Sequence, residues 1–174
     1  ADKVAQSYLA AFNATTGEFI SAFRPVLNNQ VKALAALPHG RLAVGGEFTT
    51  YGGVARSGLV VVDATTGALD PTWTTNVQNR ISGGKVSVRG LDVGGGYLYA
   101  TGAFTHFVHG TSTAYAKNGA RIAVSTGVPD YNWNPEFNGT GTALDVSDDL
   151  ARVYFSGYFT KAKSSTADRA AAVS

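Results

Sequence analysis

The tetrapeptide Gly46-Glu47-Phe48-Thr49 returns as Gly102-Ala103-Phe104-Thr105 and again as Gly157-Tyr158-Phe159-Thr160, at offsets of 56 and 55 residues. Self-similarity at such a period restricts the chain to a repeat architecture, in which each copy buries its apolar face only against its neighbour. The alternating runs Val31 to Leu37, Val86 to Val93 and Thr142 to Val146 read as half-buried strands. They end in turns at Pro38-His39-Gly40, Gly94-Gly95-Gly96 and Ser147-Asp148-Asp149, and returning strands run up to Phe48, Phe104 and Phe159. No segment keeps a 3.6-residue apolar period over a helix length, so almost no helix is expected.

A second landmark is the turn Asn13-Ala14-Thr15-Thr16-Gly17, repeated as Asp63-Ala64-Thr65-Thr66-Gly67 and shortened to Val124-Ser125-Thr126-Gly127. A side-chain acceptor followed by a glycine suited to positive φ is hairpin chemistry. Phe23, Trp73 and Trp133 each stand six residues after the turn glycine, a fixed spacing that marks a packing position rather than a sugar-stacking platform. Each unit therefore reads as a four-stranded antiparallel meander. In spatial order, strand A is the Val31-type run, B the Leu42-type, C the Leu59-type and D the segment around the aromatic.

The repeats fall at approximately 4–53, 54–115 and 116–166; 167–174 starts a fourth, with 167–173 aligning on residues 55–61 as the start of its strand C. The expectation is an all-β chain of β-propeller blades, about three plus the beginning of another. A ring closes with roughly four to eight blades, so the chain is expected to be part of a larger propeller, completed by further blades or by another chain. A small curved β-solenoid or sandwich is the alternative.

The segments Leu-Ala-Val-Gly-Gly-Glu-Phe-Thr (42–49), Asp-Ala-Thr-Thr-Gly (63–67) and Trp133-Asn134-Pro135 resemble the delta-60 repeat family of bacterial β-propellers. The likeness runs from about Val4 to Ser174. It implies a blade per repeat, strand A lining a central channel, and a secreted or cell-surface bacterial setting. It implies no particular reaction.

Composition excludes several functions. With no cysteine there are no disulfides, thiolate metal sites or cysteine nucleophiles. A net charge of +2 with scattered basic residues argues against a nucleic-acid partner. No run of 18 apolar residues suggests a membrane-spanning helix. The absence of methionine and the start at Ala1 suggest a processed or trimmed product.

Function is expected where the repeats differ. Copy two carries long insertions in its D–A connection, Thr74 to Lys85, and in its B–C connection, Thr105 to Lys117. Strands of a meander alternate in direction, so both insertions belong on one face, and such loops on a rigid scaffold commonly carry function. The candidate binding residues are Asn76, Gln78, Arg80 and Lys85 from one insertion and His106, His109 and Tyr115 from the other, for a glycan or peptide ligand.

Other constellations read as structural. His106 and His109 lack a third metal ligand nearby, and their spacing suits a helix better than a loop. No cofactor is expected. Asp148 and Asp149 sit where a turn uses them. Arg56, Lys117 and Arg169 align at equivalent positions just before strand C and read as a repeated structural cation. Asn13-Ala14-Thr15 and Asn138-Gly139-Thr140 match the glycosylation acceptor pattern, which the bacterial resemblance makes unimportant. No catalytic motif is present. A non-catalytic binding or scaffold module is the leading function; the alternatives are a glycan hydrolase using a carboxylate pair such as Asp130 and Glu136, and a purely structural subunit.

Overall fold

Recurrent glycines set the geometry of a chain whose regular elements, among the described residues, are all strands. The computed structural model describes residues 5–174, so Val4, the expected opening of the first repeat, lies outside the described residues. The strands in chain order are β1 (Val31–Leu37), β2 (Arg41–Gly46), β3 (Thr50–Tyr51), β4 (Val54–Ala55), β5 (Leu59–Asp63), β6 (Asn76–Gln78), β7 (Ser87–Gly94) and β8 (Tyr97–Ala103). They continue as β9 (His106–His109), β10 (Ser112–Tyr115), β11 (Gly119–Ala123), β12 (Gly141–Val146), β13 (Val153–Gly157), β14 (Lys161–Ala162), β15 (Ser165–Thr166) and β16 (Ala170–Val173). No helix occurs among the described residues.

Three antiparallel sheets recur, β1-β2-β5, β7-β8-β11 and β12-β13-β16. The expected fourth strand shrinks to single bridges, Val62 to Leu69 on the first sheet and Ile122 to Pro129 on the second. The meander is therefore three strands with an outer segment that barely pairs. Before the first sheet, Phe12 bridges Phe19 as an isolated C–D pair. The chain thus contributes strands C and D, then two sheets with all four positions, then a sheet with A, B and C.

Each A–B pair carries a register shift, at Val31/Ala33, Val88/Gly90 and Gly141/Ala143. Opposite it lies the glycine of the repeated tetrapeptide. A Cβ on Gly46, Gly102 or Gly157 would meet the carbonyl oxygen of Gln30, Ser87 or Thr140 at 2.2, 1.9 and 2.3 Å. The glycine is thus required by backbone crowding at a bulge. Two residues on, Phe48, Phe104 and Phe159 are fully buried.

The sheets pack face to face in chain order, with β7 between β1 and β12. Ala43, Leu59 and Val61 of the first sheet share a core with Val88, Leu98 and Ile122 of the second. Tyr99 of the second meets Trp133 and, through it, Phe155 of the third. Trp73 and Trp133 are buried, and Trp73 Nε1 donates to the Val124 carbonyl 51 residues away, so the recurrent aromatic is an inter-sheet packing residue.

Three small hairpins stand at one end of these sheets, made by the B–C connections: β3–β4, β9–β10 and β14–β15. Each touches the preceding D–A connection, through Leu27 to Tyr51, through β6 to β9, and through Phe137 to Ala162. The insertion at 105–117 is therefore not a loop peculiar to copy two. It lengthens a hairpin that every copy has.

Candidate functional site

The two insertions of copy two pair with each other. β6 joins the β9–β10 hairpin to form a sheet ordered β10-β9-β6, so the shared face expected from strand direction is realised as direct hydrogen bonding. Val77, Phe107 and Ala114 form one cross-strand row and are buried. The neighbouring row, Gln78, His106 and Tyr115, falls on the opposite, solvent-facing side, because side chains alternate along a strand. Asn76, Val108 and Thr113 make a second row on that side.

Four of the seven expected residues, Asn76, Gln78, His106 and Tyr115, thus share one surface, and Arg80 joins them by donating from Nε to Gln78 Oε1 at 2.9 Å. The His106 and Tyr115 rings lie 5.4 Å apart. Partial burial, reinforced by the Arg80 cation, lowers the pKa of His106 below its ordinary value. Burial raises that of Tyr115, and the Glu136 carboxylate adds to the effect.

The other two residues lie elsewhere. His109 sits three positions beyond His106 in a strand, which sends it to the opposite side and precludes a shared metal. Its Nδ1 donates to Thr75 Oγ1 at 2.9 Å, because that hydroxyl itself donates to the Gly127 carbonyl. His109 fastens the sheet to its neighbour. Lys85 lines a separate cavity of about 460 Å³ together with Glu47, and its carbonyl accepts from Asn79 Nδ2 at 3.0 Å.

Comparison between copies shows which side chains are free of repeat duties. Asn28 Oδ1 accepts from the Thr49 and Thr50 amides at 2.9 and 3.1 Å, and Asn138 Oδ1 accepts from Thr160 and Lys161 at 2.8 and 2.9 Å. Both cap the base of a hairpin. Gln78 holds the corresponding place, 50 residues after Asn28 and 60 before Asn138. There the backbone does the capping, with the Gln78 carbonyl accepting from Thr105 N at 2.9 Å, and the side chain is released to the surface.

The expected equivalence of Arg56, Lys117 and Arg169 is overturned by the hydrogen bonds. The amides of Arg56, Ala116 and Ala167 donate to Thr49, Thr105 and Thr160, and those of Gly58, Asn118 and Arg169 to Phe48, Phe104 and Phe159. The last three also share positive φ, at 73, 63 and 66°. Arg56 therefore corresponds to two alanines, Lys117 to Ser57, and Arg169 to Gly58. Alignment of residues 167–173 on 55–61 was one residue out: Val61 pairs with Ala43, and Ala172 with Tyr154, five residues before Phe48 and Phe159. No repeated cation exists at this position.

Arg56 is the residue that sequence reasoning set aside. It lines a cleft of about 490 Å³ between the β3–β4 hairpin and the β6 segment, whose other walls include Ser57, Asn76, Gln78, Arg80 and Val108. Anchoring the alignment on Gly67 and Gly127, rather than on the cations, places Arg56 opposite Ala116.

Of the carboxylate pair considered for hydrolysis, Asp130 is engaged by an arginine. Asp130 lies 2.8 Å from Arg121 Nη2; burial works to raise its pKa, but the Asn132 amide and Arg121 outweigh burial and lower it. Asp149 accepts from Ser147 Oγ and the Ala151 amide, as a turn residue does. No family model and no curated protein sequence matches the chain.

Proposed function

We propose that the chain is a run of β-propeller blades acting as a non-catalytic binding module, with the solvent face of the β6-β9-β10 sheet as its binding surface. One observation carries this reading: copy two lengthens the hairpin that every copy has and pairs it with the D–A segment as a three-stranded sheet, whose outer row is Gln78, His106 and Tyr115. Planar amide, imidazole and phenol groups on a rigid strand scaffold suit a glycan or a peptide, the two ligand classes the reading admits.

The propeller reading is supported by the A strands lying side by side in chain order and by the two end sheets. Leu34 is 49% exposed, whereas Leu91 and Leu144, which occupy its place in the later sheets, pack into the inter-sheet cores. Tyr154 is 46% exposed and its counterpart Tyr99 is 8% exposed. Both ends thus present residues that an adjoining sheet covers inside the chain. Further sheets of the same repeat, in one polypeptide or another, are their natural occupants. The likeness to delta-60 repeats and the surface or secreted setting belong to the same proposal.

Array screening against glycans and peptides, with the triple variant R80A/H106A/Y115A as control, tests the binding reading. Binding abolished in the variant supports it, and unchanged binding overturns it. A stable dispersed monomer near 18.0 kDa in solution would count against the incomplete ring.

A further inference from the structure

We infer that the cleft between the β3–β4 hairpin and β6 binds the carboxylate of an acidic sugar, through Arg56 and Arg80. The inference rests on the binding surface proposed above and gives it a ligand class. Arg56 and Arg80 line one cleft of about 490 Å³, and among the described residues no aspartate or glutamate lines it. Among the described residues, carboxylates lie within 4.0 Å of Arg41, Arg121 and Arg169 but not of Arg56 or Arg80.

Their donors are largely uncommitted. Arg80 spends Nε on Gln78, which leaves both terminal nitrogens, the fork that meets a carboxylate with two parallel hydrogen bonds. Arg56 donates from Nη1 to its neighbour's carbonyl at 3.0 Å, while its Nε is shielded from solvent and has no partner.

The fold does not explain these cations. Arg56 stands where two other copies carry Ala116 and Ala167, and Arg80 lies in the insertion found in copy two alone. The adjoining cavity that holds Lys85 also holds Glu47, so it lacks the same uniform charge.

The remaining walls favour a sugar over an acidic peptide. Asn76, Asn79, Gln78 and Ser57 bring uncharged polar groups to the cleft, of the kind that meet ring hydroxyls. Tyr115, 45% exposed beside His106, offers a flat apolar ring at the rim of the same face, of the kind that packs on a pyranose.

Calorimetric titration of the whole chain with a short oligogalacturonate, its neutral methyl ester and polyglutamate decides the matter. The acid form should bind, the ester about tenfold more weakly, and R56A and R80A should each lose about tenfold for the acid alone, the scale of one charge-assisted hydrogen bond. R56A installs the residue that other copies carry, so folding is expected to persist. Equal binding of acid and ester, unaffected by R56A and R80A but lost in Y115A, overturns the anion inference and leaves the glycan surface standing. Polyglutamate binding as tightly as the acid sugar overturns the sugar in favour of a peptide. Absence of binding to all three probes overturns both readings.

Discussion

Gly45 lies against Val88 across the interface of the first two sheets, so closely that a Cβ on the glycine would come within 2.7 Å of the valine Cγ1. The next interface has the sizes reversed: Thr101 occupies the place of Gly45, and Gly141, which takes the place of Val88, accommodates it. One small and one larger residue fill each interface, whichever sheet supplies which. Gly45→Ala should destabilise by about 1–3 kcal/mol through overpacking, and Val88→Ala in the same chain should recover part of that loss. Denaturant unfolding of both single variants and the double variant reads the coupling.

Gly102→Ala should be worse than Gly45→Ala. Its added methyl would face the Ser87 carbonyl at 1.9 Å, and backbone yields less readily than a valine side chain. A loss beyond the usual ~1–3 kcal/mol of overpacking is expected, with disruption of the β7–β8 bulge. Thermal unfolding of the two alanine variants side by side gives the order.

Asn138 and Gln78 occupy one repeat position and should respond differently. Asn138→Ala removes the cap on Thr160 and Lys161 and should cost about 0.5–1.5 kcal/mol, the net worth of an exposed hydrogen-bonded cap. Gln78→Ala leaves the β6–β9 backbone pairing intact and should change stability by less than about 0.5 kcal/mol, while weakening any ligand held by Arg80. Melting curves paired with titrations separate structural from binding duty.

Tyr51 gives the fold an alkaline limit. Its hydroxyl donates to the Gly67 carbonyl, and burial pushes its pKa up to about 12 from 10.0. The folded state holds this proton more tightly than the unfolded chain. Its contribution is therefore whole below pH 10.0 and is lost as pH rises toward about 12. Urea midpoints from pH 8 upward should fall more steeply for the native chain than for Tyr51→Phe.

Much of the candidate surface was legible because it rests on strand direction alone. Two insertions in D–A and B–C connections must share a face, and Gln78, His106 and Tyr115 were found there. His109 was misplaced because its insertion reads as a loop, whereas a strand from His106 to His109 sends the two rings to opposite sides. Arg56 reads as structural from sequence because Arg56, Lys117 and Arg169 fall at neighbouring places in their copies and so resemble one repeated position.

The repeat, the all-β character, the tetrapeptide glycines and the end of the sheets where the copies diverge are all legible in the chain. These follow from local chemistry: alternation of apolar residues, turn glycines, and an aromatic at constant spacing. Which residues are equivalent, and which strands of the lengthened connections meet, emerges from packing between segments distant in sequence. Equivalence is set by hydrogen-bond register, and a slip of one residue leaves composition untouched while turning a side chain to the other face. That single-residue difference separates Arg56 as a repeated structural cation from Arg56 as an unpaired charge in a cleft.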